Sequence, residues 1–253
     1  MPFRISEKLA TFVEKSEKRI MPVILNMETS TDVCSVALTC DGEVIFNREN
    51  YKSMSHASSL GGYVQEALSA AKSRHLALDA VAVSRGPGSY TGLRIGVSEA
   101  KGLCFGLDVP LIAVDTLAVM ACAVMFKKNI DENALLCPMI DARRMEVYSA
   151  VYDRALNPVK PISAEIIDAG SYADILSERP VLFFGNGAEK CREVITSPQA
   201  HFIADIYPLA ADMLALSEMA FRRSQFENVA YFEPFYLKEF VATKPKNKVL
   251  SNE

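Results

Sequence analysis

The residues with the clearest potential for binding chemistry lie in a glycine-rich run, residues 85–96, which reads RGPGSYTGLRIG. A glycine-rich turn that opens a helix can bind phosphate through free backbone N–H groups. The run fits neither nucleotide fingerprint, because Thr91 replaces the third glycine of G-x-G-x-x-G and the lysine of G-x-x-x-x-G-K-[ST] is missing. It therefore predicts either a phosphate-binding turn or a structural turn that lets strand and helix pack closely.

Neither a metal site nor a nucleophile with its base is indicated by the sequence. His56, His75 and His201 are isolated, and none has an H-x-x-x-H partner. Ser55 is adjacent to His56, yet neighbouring side chains rarely point at each other and no acid is placed to orient the histidine. We predict no metal and no catalytic residues.

The helix predicted after the glycine run, at about residues 93–105, carries apolar residues around much of its circumference. Gly92, Gly96 and Ala100 form a stripe of small residues at i, i+4 and i+8. A helix exposed on one side would have a single apolar stripe. Either both faces are buried within the monomer, or one face packs on the sheet while a partner helix approaches over the small residues.

The hydrophobic pattern along the whole chain predicts two α/β lobes. The first, residues 21–126, opens with a three-stranded meander in which Asp41-Gly42 marks a hairpin, and helices follow. The polar residues 127–133 mark a boundary before a smaller second lobe, residues 127–253, which repeats the meander and ends in a basic tail. This duplication suggests two ribonuclease-H-like lobes, as in actin, Hsp70 and the sugar kinases (the ASKHA fold).

Residues 1–20 belong to neither predicted lobe. Their apolar residues fall on one helical stripe, but the acidic residues among them fit neither a signal peptide nor a transit peptide. They are either an appended amphipathic helix or an artefact of an upstream start site.

The turn after the first strand contains Glu28, Thr29 and Ser30. An actin-like phosphotransferase has a magnesium-coordinating aspartate here, followed by a glycine that admits phosphate. In this chain the acid is Glu28 and no glycine opens the turn, which weakens a catalytic interpretation. The candidate nucleotide-binding residues are Thr29, Ser30, Gly86 and Gly88.

Charged residues cluster in a second turn, at residues 141–146, between two apolar runs. A charged hairpin loop explains this arrangement. Three charges in four positions also fit a contact between lobes or with a partner.

Composition limits the possible functions. The formal net charge of −4 gives no global electrostatic reason to bind a polyanion, so any role with nucleic acid is local or depends on a partner. The six cysteines lie far apart, which favours reduced thiols in a cytoplasmic protein. No stretch approaches the roughly 20 apolar residues of a membrane span.

Five blocks resemble one family, in its order, from about residue 21 to residue 240. They read ILNMETST, SRGPGSYTGLRIGVSEAKGL, IDARRMEVYSAVY, GNGA and PFYLKEF. On these motifs the chain resembles the TsaB (YeaZ) family of bacterial tRNA threonylcarbamoyladenosine biosynthesis, within the peptidase M22-like superfamily. The chain departs from the family at Glu28, where aspartate is more frequent, at Tyr90, where phenylalanine is frequent, and in residues 1–20, which have no counterpart.

The resemblance implies a non-catalytic scaffold subunit that works beside the paralogous metalloprotein TsaD and the ATPase TsaE. TsaD transfers a threonylcarbamoyl group to the adenosine next to the anticodon of ANN-decoding tRNAs. The implied partners are TsaD directly, TsaE within the complex and a second copy when the chain is alone, with tRNA reached through the complex. No cofactor of its own is implied, although ATP or ADP could bind at the complex interface.

The resemblance also indicates a partner surface. In the family, the first two helices of the amino-terminal lobe form a helical bundle with TsaD, and a similar surface can self-associate. Here these helices are at about residues 56–72 and 93–105. The contact residues predicted from helical geometry are Leu60, Tyr63, Val64, Ala67, Gly92, Ile95, Gly96, Glu99 and Leu103.

The sequence bears on two other classes of protein. An actin-like small-molecule kinase would hold ATP and magnesium around Thr29, Ser30 and the glycines of the run. A peptidase would need metal ligands or a nucleophile-base pair, which the sequence does not offer.

Overall fold

The computed structural model describes residues 22–52 and 56–238, so residues 1–20 and the tail lysines at 244, 246 and 248 lie outside the described residues. A five-stranded mixed sheet forms the first lobe, in the order β3-β2-β1-β4-β5. Strand β2 pairs antiparallel with both β1 and β3, whereas β1, β4 and β5 run parallel to one another. The strands are β1 (Ile24–Glu28), β2 (Cys34–Cys40), β3 (Glu43–Asn50), β4 (Ala80–Gly86) and β5 (Leu111–Asp115).

The second lobe repeats this sheet. Its order, β10-β9-β6-β7-β8, is the same topology read from the opposite edge, and its strands pair in the same directions. The predicted pair of ribonuclease-H-like lobes in the actin, Hsp70 and sugar-kinase style is therefore confirmed. The strands are β6 (Leu135–Asp141), β7 (Glu146–Tyr152), β8 (Pro158–Ile166), β9 (Val181–Phe184) and β10 (Ala200–Ile203).

Two long helices cover one face of the first sheet. Alternation along β1 turns Leu25 and Met27 toward these helices and Ile24 toward the opposite face. Leu60 of the first helix and Val97 of the second pack into the same cluster as Met27. The helices of the molecule are α1 (His56–Ser73), α2 (Tyr90–Leu107), α3 (Thr116–Lys127), α4 (Ala173–Glu178) and α5 (Leu214–Arg222).

Helix α3 lies between the two sheets. Met120 and Val124 pack with Phe184 of the second sheet, while Val119 packs with Ile112 of the first. A helix that contacts apolar neighbours on both sides is hydrophobic all round, and α3 is buried along most of its length. The two lobes therefore share one helix as part of both cores.

The carboxyl-terminal helix returns to the first lobe. Met213 and Ala220 pack with Ile24 on the face of the first sheet opposite α1 and α2. The predicted second lobe, residues 127–253, had included this segment, so the structure differs here from the prediction. The physical reason is that this sheet face is apolar and would otherwise be open to water beside α3.

Candidate functional site

The junction between β4 and α2 is tied to the turn after β1. Gly86 ends β4 with a φ of +111°, a conformation that favours glycine. Ser89 caps α2, since its hydroxyl accepts a hydrogen bond from the Gly92 N–H at 3.2 Å. The Ser89 N–H donates to the Ser30 carbonyl at 2.6 Å, so the start of α2 is fixed to the β1–β2 turn.

Gly88, Gly92 and Gly96, here called the inner glycines, face that same turn. A Cβ at Gly88 would overlap the Ser30 carbonyl, and one at Gly92 or Gly96 would overlap Thr29. The Thr29 hydroxyl donates to the Gly92 carbonyl at 2.8 Å. The prediction that Gly92 and Gly96 let a partner helix approach is therefore wrong, because the close neighbour is the chain's own turn.

The acid at the end of β1 is enclosed behind this turn. Glu28 and Thr29 are fully buried, and the Ser30 N–H donates to one Glu28 carboxylate oxygen at 2.5 Å. Burial raises the pKa of Glu28 above its ordinary value. The other oxygen, Oε2, has no hydrogen-bond partner among the described residues. A carboxyl group in this position cannot contact a ligand outside the turn.

A cleft of about 530 Å³ lies between the lobes in front of the turn. Ser30 and Gly88 line it, whereas Thr29 and Gly86, the other two candidate nucleotide-binding residues, do not. The charged turn at residues 141–146 contributes Arg143 from the second lobe. Further lining residues include Asp32, Ser89, Tyr90, Asp141, Tyr148 and Asn186.

Five of the nine predicted partner contacts are buried in the monomer. Leu60, Val64 and Ala67 form the stripe that fixes α1 to the sheet, so they offer no surface to a partner. Gly92 and Gly96 are buried as well. The other four, Tyr63, Ile95, Glu99 and Leu103, are partly exposed on α1 and α2.

A different set of glycines occupies the outside of these helices. A Cβ added at any of these four would meet no atom of the described residues within 4 Å, apart from the helix's own backbone. Phe105 on α2 is 88 % exposed. We call the set the outer glycines: Gly61 and Gly62 on α1, and Gly102 and Gly106 on α2.

The outer glycines were missed by the sequence reasoning, although a signal was available. Gly61-Gly62 lies off the apolar stripe of α1, and Gly102 and Gly106 repeat the i, i+4 spacing of Gly92 and Gly96. A glycine inside a helix lowers stability by about 1 kcal/mol relative to alanine. Several helix glycines that no packing within the monomer explains therefore indicate a partner outside it.

The duplicated sheets and the cleft between them define a two-lobed protein of the actin, Hsp70 and sugar-kinase type. A family model described as "TsaD: tRNA N6-adenosine threonylcarbamoyltransferase" matches residues 50–246. The chain is 33% identical to the tRNA threonylcarbamoyladenosine biosynthesis protein TsaB of Escherichia coli (strain K12), over 87% of this chain and 96% of that protein. It is 32% identical to TsaB of Bacillus subtilis (strain 168), over 68% of this chain and 74% of that protein.

Solved structures agree with the sequence relatives. YeaZ from Pseudomonas aeruginosa superposes with a TM-score of 0.73 at 27% identity, over 86% of this chain and 100% of that one. The chain belongs to the TsaB (YeaZ) family, and the resemblance found in its motifs is confirmed.

Proposed function

We propose that this protein is a subunit of the machinery that makes tRNA threonylcarbamoyladenosine, and that it binds and supports TsaD through the outer face of α1 and α2. The observation that carries the proposal is the exposed set of outer glycines on two helices that pack side by side on one sheet face. The process, tRNA threonylcarbamoyladenosine biosynthesis, is inferred from the names of the relatives.

The physical case rests on the cost of these glycines. Four glycines within helices destabilise the monomer by up to about 3–4 kcal/mol relative to alanine, and no described residue packed against them requires their small size. A second pair of helices that approached over them would come close enough for backbone contact. The partly exposed Tyr63, Ile95 and Leu103 would then supply apolar contacts at its edges.

The proposed role is that of a scaffold, with catalysis left to TsaD and turnover of the complex to TsaE. Support comes from the turn after β1, where Glu28 is enclosed and held by the Ser30 N–H. The same enclosure disfavours the kinase alternative, because such a kinase needs an acid that can reach bound magnesium.

The remaining parts of the proposal concern partners and location. The same outer face would mediate self-association of the free chain, and tRNA would be met through the complex. ATP or ADP would bind at the complex interface, with no cofactor held by this chain alone. Among residues 22–52 and 56–238, no helix is long and apolar enough to cross a membrane, and we place the protein in the cytoplasm.

Reconstitution tests the process. Purified chain is mixed with TsaD, TsaE, threonylcarbamoyl-adenylate synthase, tRNA, ATP, threonine and bicarbonate, and each protein is omitted in turn. Modified adenosine in the tRNA should fall to background when this chain is omitted. Unchanged modification without it would refute the proposal.

A further inference from the structure

The chain after α5 follows the edge of the first lobe toward the cleft. The Glu227 N–H donates to the Leu111 carbonyl of β5 at 2.9 Å. The Lys101 ammonium of α2 then donates to the carbonyls of Ala230 and Phe232, both at 3.1 Å. These contacts fix the path of the segment, so that the residues after it enter the mouth of the cleft.

Residues 235–238, after two intervening residues, are here called the strap. Its first half is bound to the first lobe: the Phe235 N–H donates to the Arg85 carbonyl at 2.7 Å, and the Phe235 carbonyl packs so closely on Gly86 that a Cβ there would not fit. The Tyr236 ring lies on Tyr90, the first residue of α2, with ring centroids 4.9 Å apart.

The other end of the strap is bound to the second lobe. The Lys238 ammonium forms a salt bridge with the Glu146 carboxylate at the start of β7. Glu146 is itself anchored, since its backbone carbonyl accepts a hydrogen bond from the Lys190 ammonium at 2.7 Å. All four strap residues line the cleft, together with residues of both lobes.

We propose that the strap is a clamp that holds the interlobe cleft closed in the free protein, and that its release lets the lobes separate. It acts within one chain and needs no partner. Each attachment is of a kind that is individually weak: one backbone hydrogen bond, the Arg85 guanidinium 5.8 Å from the centroid of the Phe235 ring, one aromatic pair and one partly exposed ion pair. The strap can therefore detach while both lobes stay folded. A ligand that entered the cleft would compete with the strap for the same space.

The test uses the full chain and two matched pairs of variants. Tyr236→Ala removes the contact with Tyr90, whereas Tyr231→Ala makes the same change at a nearby ring that is 83 % exposed. Lys238→Glu repels Glu146, whereas Lys238→Arg keeps the ion pair. Hydrogen exchange at the Phe235 amide reports whether the strap is docked, because that N–H is bonded to Arg85.

Lobe separation is measured in the same proteins with spin labels at Lys72→Cys and Arg154→Cys. These positions are exposed, with one on each lobe, and the six native cysteines are buried. Tyr236→Ala and Lys238→Glu should speed exchange at Phe235 by about fivefold to tenfold. They should also move the label-to-label distances to longer and broader values, while the two control variants match the native chain.

Native distances in both Tyr236→Ala and Lys238→Glu would overturn the clamp, whatever happens at the Phe235 amide. If Tyr236→Ala fails to fold, as judged by circular dichroism, the Lys238 pair decides. Equal distances in Lys238→Glu and Lys238→Arg would then reject the proposal, and longer distances in Lys238→Glu alone would support it.

Discussion

Helix α2 contains two glycine pairs with the same spacing and opposite surroundings. Gly92 and Gly96 press against the chain's own turn at Thr29, whereas Gly102 and Gly106 have no neighbour among the described residues. The spacing from Gly96 to Gly102 rotates the second pair by about two thirds of a turn, away from the first. Spacing identifies residues that share a face, but the neighbour of that face decides whether a glycine serves folding or assembly.

The largest expected effect is at the inner glycines. Gly92→Val would force the backbone away from the Thr29 carbonyl, since the new Cβ has no room there. Overpacking against backbone costs about 3 kcal/mol or more, so the free energy of unfolding measured in urea should fall by at least that amount.

Gly106→Val is the control for this comparison, because it makes the same change on the same helix where space is open. It should leave the free energy of unfolding within about 1 kcal/mol of the native value. Equal losses at positions 92 and 106 would show that the inner and outer environments do not differ as described.

The next effect is on assembly. Gly62→Leu combined with Gly102→Leu fills the outer face without touching the core, so the monomer should remain folded while affinity for TsaD falls about 100-fold, equivalent to about 2.7 kcal/mol. Ile95→Asp should likewise abolish co-purification with TsaD. Calorimetric titration and pull-down measure these losses.

Gly170→Leu serves as the matched control, since Gly170 is exposed in the second lobe. It should bind TsaD as the native chain does. Native affinity in the Gly62→Leu, Gly102→Leu protein would remove the outer face from the proposed interface.

A smaller effect concerns the acid behind the inner glycines. The folded pKa of Glu28 is raised above its ordinary 4.5 by burial, so the folded state keeps its proton where the unfolded state has lost it. Stability contributed by this group is therefore complete below about pH 4.5 and declines as the pH rises toward the folded pKa, by up to about 1.4 kcal/mol per pH unit.

Glu28→Gln should remove this dependence. In urea unfolding between pH 4 and pH 7, the free energy of unfolding of the variant should rise relative to that of the native chain as the pH rises. Parallel stability curves for the two proteins would mean that Glu28 does not keep its proton in the folded state.

The smallest effect is at a single outer glycine. Gly102→Ala adds one methyl group in open space, and better helix propensity should stabilise the monomer by about 1 kcal/mol. Thermal unfolding should show the gain, and binding to TsaD should weaken by a few fold. A variant that is more stable and binds equally well would indicate that TsaD does not approach closely at Gly102.

Local pattern was sufficient for much of the fold. The Asp41-Gly42 hairpin, the meanders and the stripe of Leu60 and Val64 each depend on residues close in sequence, and they predicted β2, β3 and α1. The family motifs then indicated the two helices of the candidate interface.

Long-range contacts account for what was not predicted. The inward direction of Gly92 depends on Thr29, which lies 63 positions earlier. The return of Met213 to the first sheet depends on an open apolar face beside α3, and the strap depends on Glu146 being present across the cleft. Periodicity shows which residues are apolar together, but it does not say which distant surface they meet.

The placement of α3 has a consequence for anyone who wishes to divide the chain. Its side chains belong to both cores, and α5 crosses back over the boundary. A cut in the polar residues 127–133 would therefore yield two fragments, each exposing a surface that the other had covered. The two halves should behave as a complementing split protein, soluble when produced together and prone to aggregation when produced apart.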